Sequence, residues 1–247
     1  MPGDPVSRRG FLKLCASTGA LVASSPSLLA ANTPERVPGE PATLLHSSGR
    51  PLRLDDLAVG ENYMFHYPYV STPVFLIDLG KPALPRDGLE MDDGRRYRWR
   101  GGVGPGRSVV AFSAICAHRM SYPTPKVSFI NYRHQPTAYT DQEYKLAYRE
   151  QVIYCCSEGS VYDPAEGGRV LGGPAPQPLA AVDLAVDEES GEIRALGTYG
   201  GDMFERFFER FGFQLALQSK LSDVRAPVGP STTVVPLSDY SENSNVC

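Results

Sequence analysis

Short apolar runs separated by turns dominate the chain from residue 70 onward. Val74 to Leu79, Val109 to Ile115, Val152 to Tyr154, and Val161-Tyr162 closed by Asp163-Pro164 all have strand length. They are rich in Val, Ile, Phe and Tyr, the side chains that suit a pleated, half-buried surface. Ala181 to Val186 alternates apolar with polar positions, a Glu-Glu-Ser-Gly turn follows at 188–191, and Ile193 to Leu196 returns, which predicts a hairpin. Several strands at short spacing predict an all-β, antiparallel sandwich or barrel-like domain over residues 44–200. The period changes at residue 202, where Met203, Phe204, Phe207, Phe208, Phe211 and Leu215 recur at helical spacing with Glu and Arg between them. An amphipathic helix therefore follows the β domain over 202–217, its Phe face either capping the chain's own core or docking on a partner subunit. The remaining residues of the 201–247 segment are polar and rich in Pro and Ser, and read as a tail that is disordered or laid along a partner. Residues 32–43 are Pro-rich without periodicity and read as a linker.

Composition sharpens this reading. The chain has 247 residues with 24 Gly and 22 Pro, close to a fifth of the total, against a usual share of about 12%. That disfavours a helical bundle and favours a turn-rich β fold. The length supports a core that needs no metal or disulfide to fold, so a metal here would serve function. A net charge of −4 leaves no basic surface for phosphate backbones, and nucleic acid is not an expected partner. At the N-terminus, Ser7-Arg8-Arg9-Gly10-Phe11-Leu12-Lys13 precedes a mildly apolar stretch from Leu14 to Ala31. A positive region before a weak apolar one resembles a twin-arginine export signal over 1–31 and predicts a periplasmic protein. No Ala-x-Ala precedes Asn32, so an uncleaved anchor in the inner membrane is the alternative to removal.

The five cysteines are Cys15, Cys116, Cys155, Cys156 and Cys247, an odd and widely spread set that is no disulfide framework. Two segments concentrate the chemistry. Cys116-Ala117-His118 ends the apolar run that starts at Val109, and Cys155-Cys156-Ser157-Glu158-Gly159-Ser160-Val161-Tyr162-Asp163-Pro164 follows later. A Cys-x-His loop at a strand end brings a thiolate and an imidazole within reach of one metal centre, and a second Cys-bearing loop can close that site from the other side.

Taken with Gly101-Gly102-Val103-Gly104-Pro105-Gly106-Arg107 before the first segment and Gly172-Gly173-Pro174-Ala175-Pro176 after the second, these motifs resemble a Rieske iron-sulfur domain over roughly residues 55–200. The chain is most similar to the small subunit of arsenite-oxidase-type molybdenum enzymes, through the twin-arginine motif, Tyr67-Pro68 and the strand Val74-Phe75-Leu76-Ile77. The resemblance implies a sandwich with an inserted cluster subdomain at about 111–180, holding a 2Fe-2S cluster between two thiolates and two imidazoles. Cys116 and His118 match the first ligand pair. Cys155 matches the second thiolate, and Glu158 then stands where the second histidine belongs; a one-residue shift makes Cys156 the thiolate and puts Gly159 there instead. The fourth position is filled by Glu158 as a carboxylate ligand, by Cys156 as a third thiolate or by His134 folding back from the connection between Cys116 and Cys155, which stand 39 positions apart, or it has no ligand. Ser121 and Ser157 occupy the places of the family's loop-to-loop disulfide. Ser160 and Tyr162 match its hydroxyl pair beside the cluster sulfurs, and Gly173 and Pro174 its cover loop.

The insertion at 119–150 carries Tyr122, Tyr132, Tyr139, Tyr144 and Tyr148 and reads as an ordered lid or a docking surface. The function implied is passage of single electrons between a larger redox subunit and a c-type cytochrome, as a subunit of an oxidoreductase complex that performs no substrate chemistry itself. The competing reading is a cluster-free, Rieske-like docking subunit. A ring-hydroxylating oxygenase is set aside, because the remaining residues hold no mononuclear-iron domain.

Overall fold

Strand-length apolar runs become strands throughout. The computed structural model describes residues 36–200 and 202–244, the side chains of Asp202 and Ser219 aside. The expected export signal lies outside the described residues. In chain order the strands are Val37–Leu45 (β1), Tyr63–His66 (β2), Pro73–Asp78 (β3), Arg86–Glu90 (β4), Arg96–Trp99 (β5), Val109–Ser113 (β6), Ile130–Arg133 (β7), Thr137–Thr140 (β8), Leu146–Arg149 (β9), Val152–Cys155 (β10), Ser160–Asp163 (β11), Arg169–Gly172 (β12), Ala181–Val186 (β13), Ile193–Tyr199 (β14), Ser231–Thr233 (β15) and Val235–Pro236 (β16). The helices are Asp202–Ser219 (α1) and the single turn Leu237–Tyr240 (α2). Among the described residues no helix is long and apolar enough to cross a membrane.

The main sheet has the order β15-β1-β14-β13-β6-β3-β2-β16. Its neighbours are antiparallel except β1 and β15, which run parallel. Only Val234 separates β15 from β16, so the chain steps from one edge of the sheet to the other and nearly closes it. Across that gap the His66 amide donates to Thr232 Oγ1 at 3.4 Å. Near-closure leaves little unpaired edge backbone. The two faces are read directly from alternation in β3 and β6. Val74, Leu76, Val109 and Ala111 point inward, with Leu44, Phe65, Leu184 and Ile193. Phe75, Ile77, Val110 and Phe112 point outward into a second core.

That second core positions the candidate site. A smaller antiparallel sheet, β12-β11-β10-β7, is inserted between β6 and β13 and contributes Ile130, Tyr132, Ile153, Cys155 and Tyr162 to it. Helix α1 adds Met203, Phe204, Phe207, Phe208 and Leu215. Tyr122 meets the rings of Phe207 and Phe211 edge-on at 5.1 and 5.4 Å, and Tyr69 meets Phe208 at 5.1 Å. The helix thus caps the chain's own core, each buried Phe stabilising by about 2–3 kcal/mol through removal from water.

Two expectations are corrected. Residues 37–43 are not linker, because β1 pairs with β14 from Val37↔Thr198 to Thr43↔Arg194, with a bulge between Pro38 and Ala42. Pro41 falls inside that irregular stretch, where a missing N–H costs no ladder bond. Only Ala42 and Leu44 of this strand are buried in the core, too few to mark it in the sequence. The segment after α1 is likewise no loose tail. Val228, Val234 and Leu237 plug into the protein, while β15 and β16 supply hydrogen bonds to the edges of the main sheet.

The insertion also divides. Tyr132 is buried, and Tyr139 packs on the second face of the small sheet beside Val152, Val161 and Leu171. Tyr144 and Tyr148 stand in solvent on the β8–β9 hairpin, 91% and 70% exposed. The surface expected of five tyrosines is therefore supplied by two.

Candidate metal centre

Two loops meet at one end of the outer core. The first leaves β6 through buried Ala114 and Ile115, with the Ile115 amide held by Ser113 Oγ at 3.2 Å. It turns back on itself through Met120 N–H to Cys116 C=O and Cys116 N–H to Ser121 C=O, both 2.9 Å. The second joins β10 to β11, whose last register pair is Cys155↔Ser160. Gly159 closes it by donating to the Cys155 carbonyl at 2.9 Å. Gly159 has φ +75, a left-handed conformation that glycine adopts without steric cost.

Cys116 and Cys155, one from each loop, are both free and fully buried, and each thiol alters the ionisation of the other. Tyr162 Oη lies 3.2 Å from Cys116 Sγ and 3.1 Å from the Ala117 amide. The amide can only donate, so the phenol accepts from Ala117 and turns its own proton toward the sulfur. The neighbouring Cys155 thiol, helped by Tyr162, the His118 amide and Ser160, draws the Cys116 thiol below its ordinary value against the opposing effect of burial. The same Cys116 contact, with burial, pushes Cys155 up, although the amides of Ser157 and Glu158 favour its thiolate. Burial and the neighbouring sulfur hold the Tyr162 phenol well above its ordinary value, so it stays a proton donor. Ser160 Oγ is buried without a well-formed hydrogen bond, although it stands near enough to Cys116 to favour the thiolate.

His118 and Glu158 sit together on the solvent side, each about a quarter exposed, with His118 Nδ1 3.9 Å from a Glu158 oxygen. That nitrogen is buried and makes no hydrogen bond. The other Glu158 oxygen lies 3.4 Å from Arg119. Sequence reasoning passed over Arg119, whose place beside His118 was the available signal, and the backbone amides around the sulfurs, which carry none.

Other candidates fall elsewhere. Cys156 points away from Cys155, as successive residues of an extended chain do. Its Sγ is 3.2 Å from Arg133, whose guanidinium covers the Tyr154 ring, and it is disulfide-bonded, so it is no third thiolate. His134 follows β7 at the end opposite Ile130, the residue that pairs with Cys155. Four residues of strand, about 13 Å, separate the two ends, and the His134 ring lies against Gly60 and Tyr132. It does not fold back over the site. Gly173, at φ +78, packs so closely on the Gly159–Ser160 turn that a Cβ would overlap the Gly159 carbonyl, while Pro174 is exposed. The glycine-rich approach at 101–107 borders the start of β6, through the Val103↔Val109 bridge, and so lies at the far end of that strand from Cys116. With the β13–β14 hairpin it lines an open groove of about 1130 Å³ bearing Arg98, Arg100, Asp183 and Asp187.

Among the described residues no three His, Cys, Asp or Glu side chains converge on one point. The groups form two pairs instead, a buried Cys116/Cys155 pair and a partly exposed His118/Glu158 pair, which is a division suited to two metal ions rather than one. His118 Nδ1 and Ser160 Oγ are buried without hydrogen-bond partners, and a sulfide-bridged pair of irons would meet those needs.

No protein-family model matches the chain. Among solved structures it is similar to the soluble domain of the Rieske protein II from Sulfolobus acidocaldarius, at 26% identity over 68% of this chain and 82% of that one, with a TM-score of 0.46.

Proposed function

We propose that this chain is a Rieske-type electron carrier, with Cys116 and Cys155 holding one iron of a 2Fe-2S cluster and His118 and Glu158 the other. The observation that carries the reading is the presence of two buried, free thiols from separate loops near Tyr162, with His118, two residues along from Cys116, leaving a buried ring nitrogen without a hydrogen bond. Such a cluster supplies a one-electron centre. The protein's part is to exclude water from the thiolates, aim the Tyr162 hydroxyl and the Ser157 and Glu158 amides at sulfur, and leave the His118 edge open for electron exchange. A carboxylate is a harder ligand than imidazole, so Glu158 sets a lower potential than two histidines would. The proposal includes export by the twin-arginine route, on the strength of Arg8 and Arg9, and a larger redox subunit or a c-type cytochrome as partner.

One observation favours the cluster-free docking reading. Glu158 is paired with Arg119 at 3.4 Å, and Tyr162 links the two loops through Cys116 Sγ and the Ala117 amide, so contacts between them exist without metal. The deciding experiment is iron and acid-labile sulfide per chain on anaerobically purified protein, with an electron paramagnetic resonance spectrum after reduction. Two of each, lost in Cys116→Ser and reaching a higher midpoint potential in Glu158→His, are the expected results. Folded protein with neither iron nor sulfide would leave the docking reading standing.

A further inference from the structure

The main sheet parts between β6 and β13. Among the described residues Ala181↔Phe112 is the one register pair that joins them, whereas β6 pairs with β3 along its whole length, from Val109 to Ser113. Val109 instead exchanges hydrogen bonds with Val103, at 2.9 and 3.3 Å, so the 101–107 turn takes the place beside β6 that β13 leaves. That turn is tight because Gly102 lacks a Cβ, which would overlap the Arg107 carbonyl.

Alternation shows which backbone groups of β13 are vacated. The Ala180 carbonyl accepts from the Ser113 amide at 2.7 Å, on the β6 side, and the Asp187 amide donates to Glu192 at 2.9 Å, on the β14 side. Even-numbered residues of β13 therefore turn their N–H and C=O away from β14, and those of Leu184 and Val186 meet no partner among the described residues. They border the open groove of about 1130 Å³ lined by β13, the 101–107 turn, Leu54 and Pro85. An unpaired edge beside an open groove is what an extended peptide needs to add as a strand, about 4.8 Å away. The groove is also bipolar. Arg98 and Arg100 stand by its Asp183 end, their side chains 56% and 65% exposed, with only long contacts to Asp87 at 3.3 Å and Asp183 at 3.5 Å. Past Val186, Glu188 and Glu189 line the other end, exposed and in no ion pair among the described residues.

We propose that this opening binds an extended segment of a partner protein, added as a strand along Leu184 to Val186, with an acidic side chain toward Arg98 and Arg100 and a basic one toward Glu188 and Glu189. Backbone pairing supplies affinity, and the two charged ends fix the register. The site stands independently of whether a cluster is bound, since it lies at the end of β6 remote from Cys116.

The test titrates the full chain into a fluorescein-labelled synthetic peptide of alternating Val and Thr, with two Glu at one end and two Lys at the other, and follows anisotropy. Saturable binding is expected, with slowed hydrogen exchange at the Leu184 and Val186 amides. The fully N-methylated peptide, which has no N–H to pair, should bind at least tenfold more weakly. Val186→Pro should weaken binding as much, because that amide bonds nothing in the free protein and its loss leaves the β14 pairing intact. Arg98→Glu should weaken it several-fold, and more so at low salt. No binding at millimolar concentration, binding indifferent to N-methylation, or exchange slowed only elsewhere overturns the proposal. A dimer in sedimentation that Val186→Pro dissolves would put a second copy of this chain in the opening, and so overturn its assignment to a partner's segment.

Discussion

Tyr162 shows how much one side chain can do at this site. Its ring is fully buried in the outer core, and its hydroxyl bridges the Ala117 amide and the Cys116 sulfur. Tyr162→Phe keeps the ring and removes both links, leaving a buried amide without an acceptor. We expect a loss of about 1–3 kcal/mol in unfolding free energy, read by urea denaturation, and a lower midpoint potential for any bound cluster, since hydrogen bonds to sulfur favour the reduced state. A potential equal to the parent's would remove Tyr162 from the sulfur's surroundings. Glu158, Ser160 and Tyr162 are legible in sequence because their spacing within one hairpin is short. The opposed directions of Cys155 and Cys156 follow equally from strand alternation.

At the scale of elements, β2 carries a pH dependence. His66 ends that strand, its ring 5.8 Å from Tyr240 of α2 and its Nε2 3.3 Å from that phenol. Burial pushes its imidazole down to about 4, with no carboxylate at hand to offset the cost. The unfolded chain binds this proton near pH 6.5 and the folded one does not, so the stabilisation is complete above about 6.5 and is lost as pH falls toward 4. The drop should amount to about 2–3 kcal/mol, seen as a shift in denaturation midpoint between pH 7 and 4.5. His66→Gln should flatten that difference, and an equally steep profile in the variant would assign it to other groups. This contact was hidden in the sequence, because Tyr240 lies in a polar stretch with no periodicity and meets His66 only through the return of the chain along β15 and β16.

For the whole molecule, the near-closed sheet, the inserted sheet and α1 enclose one outer core that reaches from Met203 to Cys116. The loops carrying Cys116 and Cys155 rest on that core, with Ile115, Cys116, Ala117 and Cys155 buried in it. The proposed export is tested at this scale too. Replacing Arg8 and Arg9 together by Lys should retain the protein in the cytoplasm, checked by cell fractionation, whereas unaltered periplasmic yield would refute the twin-arginine route.

The sequence by itself determined β3, β6, β10, β11, the β13–β14 hairpin, the amphipathic helix and the two loops with their pattern of Cys, His, Glu and hydroxyl residues. Each is encoded locally, by alternation, by helical period or by close spacing, and local signals survive without the rest of the chain. Tertiary structure decided which core the Phe face covers, that Val37 to Thr43 joins the sheet through a proline-bearing bulge, that the polar C-terminal segment nearly closes that sheet, and that His134 lies at the wrong end of β7. These depend on pairings between residues far apart in the chain, where a few apolar anchors and backbone hydrogen bonds act together and no short stretch carries the pattern.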